Sequence, residues 1–170
     1  WEHDMSATAR FAMPLLQAGQ AQKELFHNEA LVLADGLLQP CVEALGVDIP
    51  PSAPAPGQCW IVGDSPTGAW AGGAGSLALW TASGWRFAAA REGMAAGIAA
   101  DGLTARHMGG SWHVGRLTAA QLVVDGEQVV GPRQPGIEEP DGGSLIDIEA
   151  RVAIEAILAT LRAHGLIDPA

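Results

Sequence analysis

The chain has no tyrosine, three phenylalanines and two cysteines, and it carries only nine lysines and arginines against nineteen aspartates and glutamates in 170 residues. Each scarcity narrows the function. Holding nucleic acid requires clustered cations that displace phosphate counterions. With a net charge of −10, no basic run and no basic helix face, nucleic acid is not an expected partner. An anionic membrane surface is disfavoured for the same reason. No apolar run reaches the roughly 20 residues of a membrane-spanning helix, so no membrane is expected as partner. Cys41 and Cys59, with no Cys-x-x-Cys pair, are too few for a disulfide scaffold and read as reduced, semi-buried thiols. The opening residues Trp1–Arg10 are polar and lack the apolar stretch of a secretory leader, and Met5 offers an internal start. Charged residues make up only 16%, low for a solitary domain, so part of the surface is expected to lie against other subunits.

Chemistry-bearing patterns are also scarce. The five histidines lack metal-ligand spacing; His107 and His113, across one hairpin, are the one pair to check. His27 has no second histidine four residues away, so no zinc-protease motif is present. Cys59 with His107 or His113 could be imagined as nucleophile and base, but nothing local marks an activated thiol. Glu138–Glu139 lies in a proline-rich connector and reads as a solvated pair rather than a glycosidase dyad. Gly72-Gly-Ala-Gly75 lacks the lysine and following helix of a phosphate loop. The expectation is a protein without catalytic residues, metal or cofactor.

What the chain does have is 22 glycines, 11 prolines, six tryptophans and 48% hydrophobic residues. These are unevenly placed. In residues 1–48, Phe26, Ala30, Leu33 and Leu37 recur at helical spacing, widened by Leu31, Ala34 and Leu38, with Pro40 ending the helix. Residues 49–57 hold four prolines and read as a polyproline linker. Residues 58–132 change period. Cys59–Val62 reads as a strand, and three hairpins follow: Leu77–Trp80 with Trp85–Phe87, Leu103–Met108 with Trp112–Leu117 about Gly109-Gly-Ser111, and Leu122–Val124 with Glu127–Val130 about Asp125-Gly126. The first of these places Trp80 opposite Trp85. Residues 133–143 form a connector. Residues 144–170 read as a helix begun by an N-cap arrangement of Ser144 with Asp147 and ended by Gly165. The fold expected is α+β: a small antiparallel β-sheet or barrel-like domain flanked by N-terminal and C-terminal amphipathic helices.

Three groups of residues are candidates for function. Gln20, Lys23, Glu24, His27 and Asn28 share one helix face and could dock a partner; the plainer reading is a solvated face. Trp70, Trp80 and Trp85 could stack on sugar rings, although with so few other aromatics the tryptophans read more readily as core. On the C-terminal helix, Leu145, Ile148, Val152, Ala156 and Ala159 form one apolar stripe, and Ile154, Ile157, Leu158 and Leu161 another roughly opposite. A helix apolar on two sides contacts both its own domain and a neighbour, which favours a homo-oligomer.

The strings Arg10-Phe-Ala-Met-Pro-Leu-Leu-Gln-Ala-Gly-Gln-Ala-Gln-Lys-Glu24 and His27-Asn-Glu-Ala30 resemble the opening of a domain-of-unknown-function family common in alphaproteobacterial prophages and gene-transfer-agent loci. Gly68-Ala-Trp70, Leu77–Trp80, Gly84–Phe87 and Arg91-Glu-Gly93 resemble its Trp/Gly section, and Val129–Arg133 with Ile146–Arg151 its closing segment. The resemblance implies a virion structural protein, a tail-fibre or head-spike component, made in the bacterial cytoplasm and carried on the particle surface. Its implied partners are capsid or fibre proteins and cell-surface polysaccharide. No repetitive shaft follows, which favours a spike or fibre base over the fibre itself. A carbohydrate-binding adhesin contacting capsule directly is the alternative, and an envelope or capsule hydrolase comes third.

Overall fold

In a computed structural model of the chain, which describes residues 6–17, 23–143 and 147–168, contacts divide the protein into two compact units, one ending at Arg116 and one beginning at Leu117. The architecture is α+β with a helix toward each end and open sheets.

The first unit contains α1 (Lys23–Leu37), β1 (Cys41–Val42), β2 (Leu45–Val47), β3 (Cys59–Val62), a 3₁₀ turn at Gly68–Trp70, β4 (Leu77–Thr81), β5 (Gly84–Ala88), β6 (Ala95–Ile98), β7 (Thr104–Met108) and β8 (Ser111–Val114). These strands form two four-stranded sheets, β1-β6-β7-β8 and β2-β3-β4-β5. The barrel-like alternative is therefore not realised. The pairing is also not wholly antiparallel: β1 runs parallel to β6, and β2 parallel to β3. Both parallel strands lie in the stretch read as the tail of a helical segment. They are two and three residues long, too short to produce an alternation signal. The chain leaves one sheet at Val42 and enters the other at Leu45, so this short run joins the two.

The proline-rich residues 49–57, read as a linker, form the crossover between parallel β2 and β3 instead. An extended polyproline path has the reach for this and needs no ladder partners. Its end is tied down where Gly57 N–H donates to the Trp80 carbonyl (2.9 Å), and Ala55 N–H to the Gln58 side chain (2.7 Å).

The hairpins follow their turn chemistry. Gly109 and Gly110 (φ +59° and +81°) form a two-residue loop, so Ser111 belongs to β8 rather than to the turn. In the β4–β5 hairpin the expected register is present, with Trp80 opposite Trp85. Strand β3 is buried on both faces. Cys59 and Ile61 join Val42, Leu77, Leu79, Ala96, Ile98 and Ala105 in a core contributed by both sheets. Trp60 and Val62 face the other way, into a second cluster with Trp70 and Ala78.

The second unit contains β9 (Leu122–Val124), β10 (Glu127–Val130) and α2 (Ile148–Ala163). Asp125 and Gly126 (φ +51° and +84°) make the tight turn expected of this pair. Asp147 caps α2 by accepting from Ala150 N–H at 2.9 Å, and Gly165 (φ +67°) follows its end. Ser144 and Leu145 lie outside the described residues.

Candidate functional site

Helix α1 sits on its own sheet by an unexpected face. Its buried or half-buried side carries Asn28, Glu29, Val32, Asp35 and Gly36. Val32 packs on the two-sheet core. Gly36 lies over Leu79 so closely that a Cβ would collide with the leucine methyl. Arg86 of β5 grips Glu29 through two hydrogen bonds, the second (Nη2 to Oε2) at 3.2 Å. That bond to Glu29 holds the guanidinium above its ordinary pKa. Of the apolar stripe Phe26, Ala30, Leu33 and Leu37, which lies well round the helix from that side, Phe26, Ala30 and Leu37 point outward, Phe26 being 78% exposed, and Leu33 is half-buried.

The reason is the segment before the helix. Asp35, almost fully buried, accepts from Thr8 Oγ1 (2.8 Å) and from the backbone N–H groups of Arg10 (2.9 Å) and Phe11 (2.8 Å). The Arg10 guanidinium donates to the carbonyls of Asp35 (2.6 Å), Leu38 (2.8 Å) and Gln39 (2.8 Å), satisfying the open end of α1. Asn28 pairs with the Leu16 backbone, accepting from its N–H (2.8 Å) and donating to its carbonyl (2.9 Å). Of the five proposed docking residues, Asn28 is thus an internal clamp, because both halves of its amide are used within the chain. Glu24 is half-buried and His27 exposed. Gln20 and the Lys23 side chain lie outside the described residues.

The tryptophans form one cluster. Trp70 sits 6.2 Å from Trp60 and 5.1 Å from Trp85, and Trp80 lies 4.9 Å from Trp85, all tilted or edge-to-face. Trp70 is 0% exposed. Its assignment as a sugar platform is corrected: both ring faces are covered by protein. Trp80 and Trp85 are half-buried. Trp112 belongs elsewhere, with its indole N–H on the Gly75 carbonyl (2.8 Å) and its ring against His107. This bond gives Gly72-Gly-Ala-Gly75 a structural use.

Groups with possible chemistry are dispersed or quiet. Trp112 stands opposite His107, and Arg106 opposite His113, so the two histidines project from opposite faces of their hairpin. Among the described residues, no three His, Cys, Asp or Glu side chains are grouped to hold a metal ion. Burial pushes the Cys59 thiol up to about 11, and it donates to the Cys41 carbonyl at 3.2 Å. Such a thiol stays protonated and is a poor nucleophile. Glu139 pairs with Arg162 at 3.0 Å.

The second unit offers the most open apolar surface. Along α2, Leu158 is 5% exposed, whereas Ile148, Val152, Ile154 and Ile157 range from 43% to 67%. Of the residues proposed for oligomer contact, Leu158 thus faces its own chain and Leu161 is half-buried. Arginines on the Leu158 side of the helix clamp the connector. Arg151 donates to the carbonyls of Pro140 (2.8 Å) and Gly142, and Arg162 to that of Ile137 (2.5 Å). Both strands of the β9–β10 hairpin are exposed throughout. Leu158 and Ile167 are the buried hydrophobics of this unit among the described residues.

No helix among the described residues is long and apolar enough to cross a membrane. Compared with known families, residues 27–113 match one described as a protein of unknown function, DUF2793. No curated protein matches the chain at a significant level.

Proposed function

We propose that this protein, which belongs to the DUF2793 family of proteins of unknown function, is a non-catalytic assembly component: the base or adaptor of a spike or fibre on a phage-like particle. The observation that carries the reading is the second unit, whose hairpin and helix expose apolar side chains that no core of its own covers. Apolar surface left open in this way is what an interface would cover. In the first unit, Leu25, Phe26 and Leu37 of α1 are exposed as well. The choice of a virion component, with a gene-transfer-agent head spike as the leading example, draws on the resemblance of the Gly19–Lys23 and His27–Ala30 strings. In this reading the protein is a homo-oligomer on the particle surface, contacts capsid or fibre proteins, and helps the particle attach to host-cell polysaccharide.

Particles purified from an induced culture of the source bacterium test it. The protein is expected to copurify with them at a fixed ratio to the capsid subunit, and particles lacking it are expected to adsorb poorly. Its absence from intact, adsorbing particles overturns the proposal.

A direct sugar-binding role is narrowed by the burial of Trp70 to Trp80 and Trp85, which are half-buried. Capsule pull-down with Trp80→Ala and Trp85→Ala is the discriminating measurement. Undiminished binding by a folded variant removes the stacking idea.

A further inference from the structure

We propose that the Asp141-Gly142 step is a site of spontaneous isoaspartate formation, and that the rearrangement releases the Arg151 clamp between the connector and α2. The inference is independent of the assembly reading above.

The chain has Asp-Gly steps at Asp35, Asp101, Asp125 and Asp141. A glycine after aspartate leaves the backbone nitrogen unscreened by a Cβ, so each is a chemical candidate. The fold treats them differently. Asp35 is buried, with its carboxylate held by Thr8, Arg10 and Phe11. At Asp101 both reacting groups are engaged elsewhere. Gly102 N–H donates to the Ile98 carbonyl (2.9 Å), and Asp101 Oδ1 accepts from Leu103 N–H (2.9 Å). Asp125 is set at φ +51° by its tight turn, and among the described residues no hydrogen bond joins its carboxylate to Gly126.

Asp141 is exposed, and its own Oδ1 accepts from Gly142 N–H at 2.7 Å. Cγ stands one covalent bond behind that oxygen, so the carbon and nitrogen that must join are already held side by side. A Cβ at Gly142 would meet nothing, so the approach is open. Arg151 fixes the main chain on both sides of the aspartate, donating to the carbonyls of Pro140 (2.8 Å) and Gly142.

The Gly142 nitrogen attacks Asp141 Cγ. The N–Cγ bond forms and a Cγ–O bond breaks. The departing oxygen takes the carboxyl proton and the amide proton and leaves as water, which closes a five-membered succinimide. Water then adds to the former main-chain carbonyl of Asp141 and opens the ring. The isoaspartyl chain has the same composition, but its main chain is one methylene longer, and the former α-carboxyl is now a free carboxylate. Arg151 no longer meets the Pro140 and Gly142 carbonyls in one register, and the Gly142 bond is lost. Arg162, on Ile137 and Glu139, is untouched, so loosening is confined to the part of α2 that carries Arg151.

Ageing the full chain in neutral buffer at physiological temperature tests the site. Trypsin releases residues 134–151 as one peptide, and electron-transfer fragmentation separates isoaspartate at 141 from that at 147. Isoaspartate is expected to accumulate first at Asp141, roughly fivefold or more faster than at Asp101 or Asp125. The preference is expected to shrink in Arg151→Ala and to vanish in guanidinium chloride, where the fold positions none of the four. Aged wild type is expected to exchange amide hydrogens faster around Arg151. Asp141→Glu, whose longer side chain does not close the five-membered ring, is expected to keep its exchange pattern with age. Equal rates at Asp101, Asp125 and Asp141, or a preference for Asp141 that persists in guanidinium chloride, overturns the fold-directed site. Unchanged exchange around Arg151 in chains modified at Asp141 overturns the release of the clamp.

Discussion

Single buried polar groups decide how the first unit is put together. Asp35 is the plainest case. An acid in the apolar half of a helix has to be paired when buried, and Thr8, Arg10 and Phe11 supply the partners. Asp35→Ala leaves those donors without an acceptor. It is expected to destabilise the fold by on the order of 3 kcal/mol, read as a lower urea midpoint. The signal for this site was present in the sequence, since Asp35 interrupts an otherwise apolar run. Its partners were not legible, because hydrogen bonds spanning some 25 residues leave no periodic trace. Cys59 has a consequence for pH. Its folded thiol holds the proton up to about 11 against an ordinary value of 9.0. The resulting stability is fully present below about pH 9 and is lost as pH rises through 11, a change on the order of 2–3 kcal/mol. The chain has no tyrosine and a single lysine, Lys23, and a Cys41→Ser background removes the second thiol from the comparison. Urea midpoints at pH 8 and pH 11 are expected to diverge for wild type and much less for Cys59→Ala, which has no thiol to ionise.

At the level of elements, what could be read ahead were the local ones. The β4–β5 hairpin, with its Trp80–Trp85 pair, and the Asp125-Gly126 turn fix their own geometry, because a tight turn dictates the register of its flanking strands. The parallel strands β1 and β2 could not be read, since their partners are distant in sequence and each is too short to alternate. Helix α1 was legible as a helix but not in its orientation. The hydrophobic stripe Phe26–Leu37 suggests the buried face, yet close approach at Gly36, the Glu29–Arg86 pair and the Asn28 and Asp35 bonds hold the opposite face down. Gly36→Ala tests that seating. The added methyl strikes Leu79, a buried residue of the two-sheet core with little room to shift. The expected loss is about 1–3 kcal/mol, with faster amide exchange along α1 than in wild type. Wild-type stability in this variant would mean that α1 is not held against β4 at that position.

Across the whole molecule the two units differ in how completely they bury themselves. The first has two hydrophobic clusters built from both sheets and the tryptophans. The second has Leu158 and Ile167 buried among its described residues and an exposed two-stranded hairpin, which alone is marginal in water. Helix α2 was legible in advance from its apolar periodicity and the Gly165 that follows it. The grouping of the third hairpin with that helix was not, since its turn sequence resembles those of the other hairpins. The boundary itself predicts a cleavage pattern. Arg116 is exposed and adjoins it, so limited trypsin digestion is expected to cut there early. Residues 1–116 should then unfold cooperatively and retain the blue-shifted fluorescence of the buried Trp70 cluster. If the proposed assembly completes their core between molecules, residues 117–170 lose helicity on dilution and regain it on concentration. A 117–170 fragment whose circular dichroism is independent of concentration would show that the second unit folds as a single copy, and the exposed faces of α2 would then need another explanation.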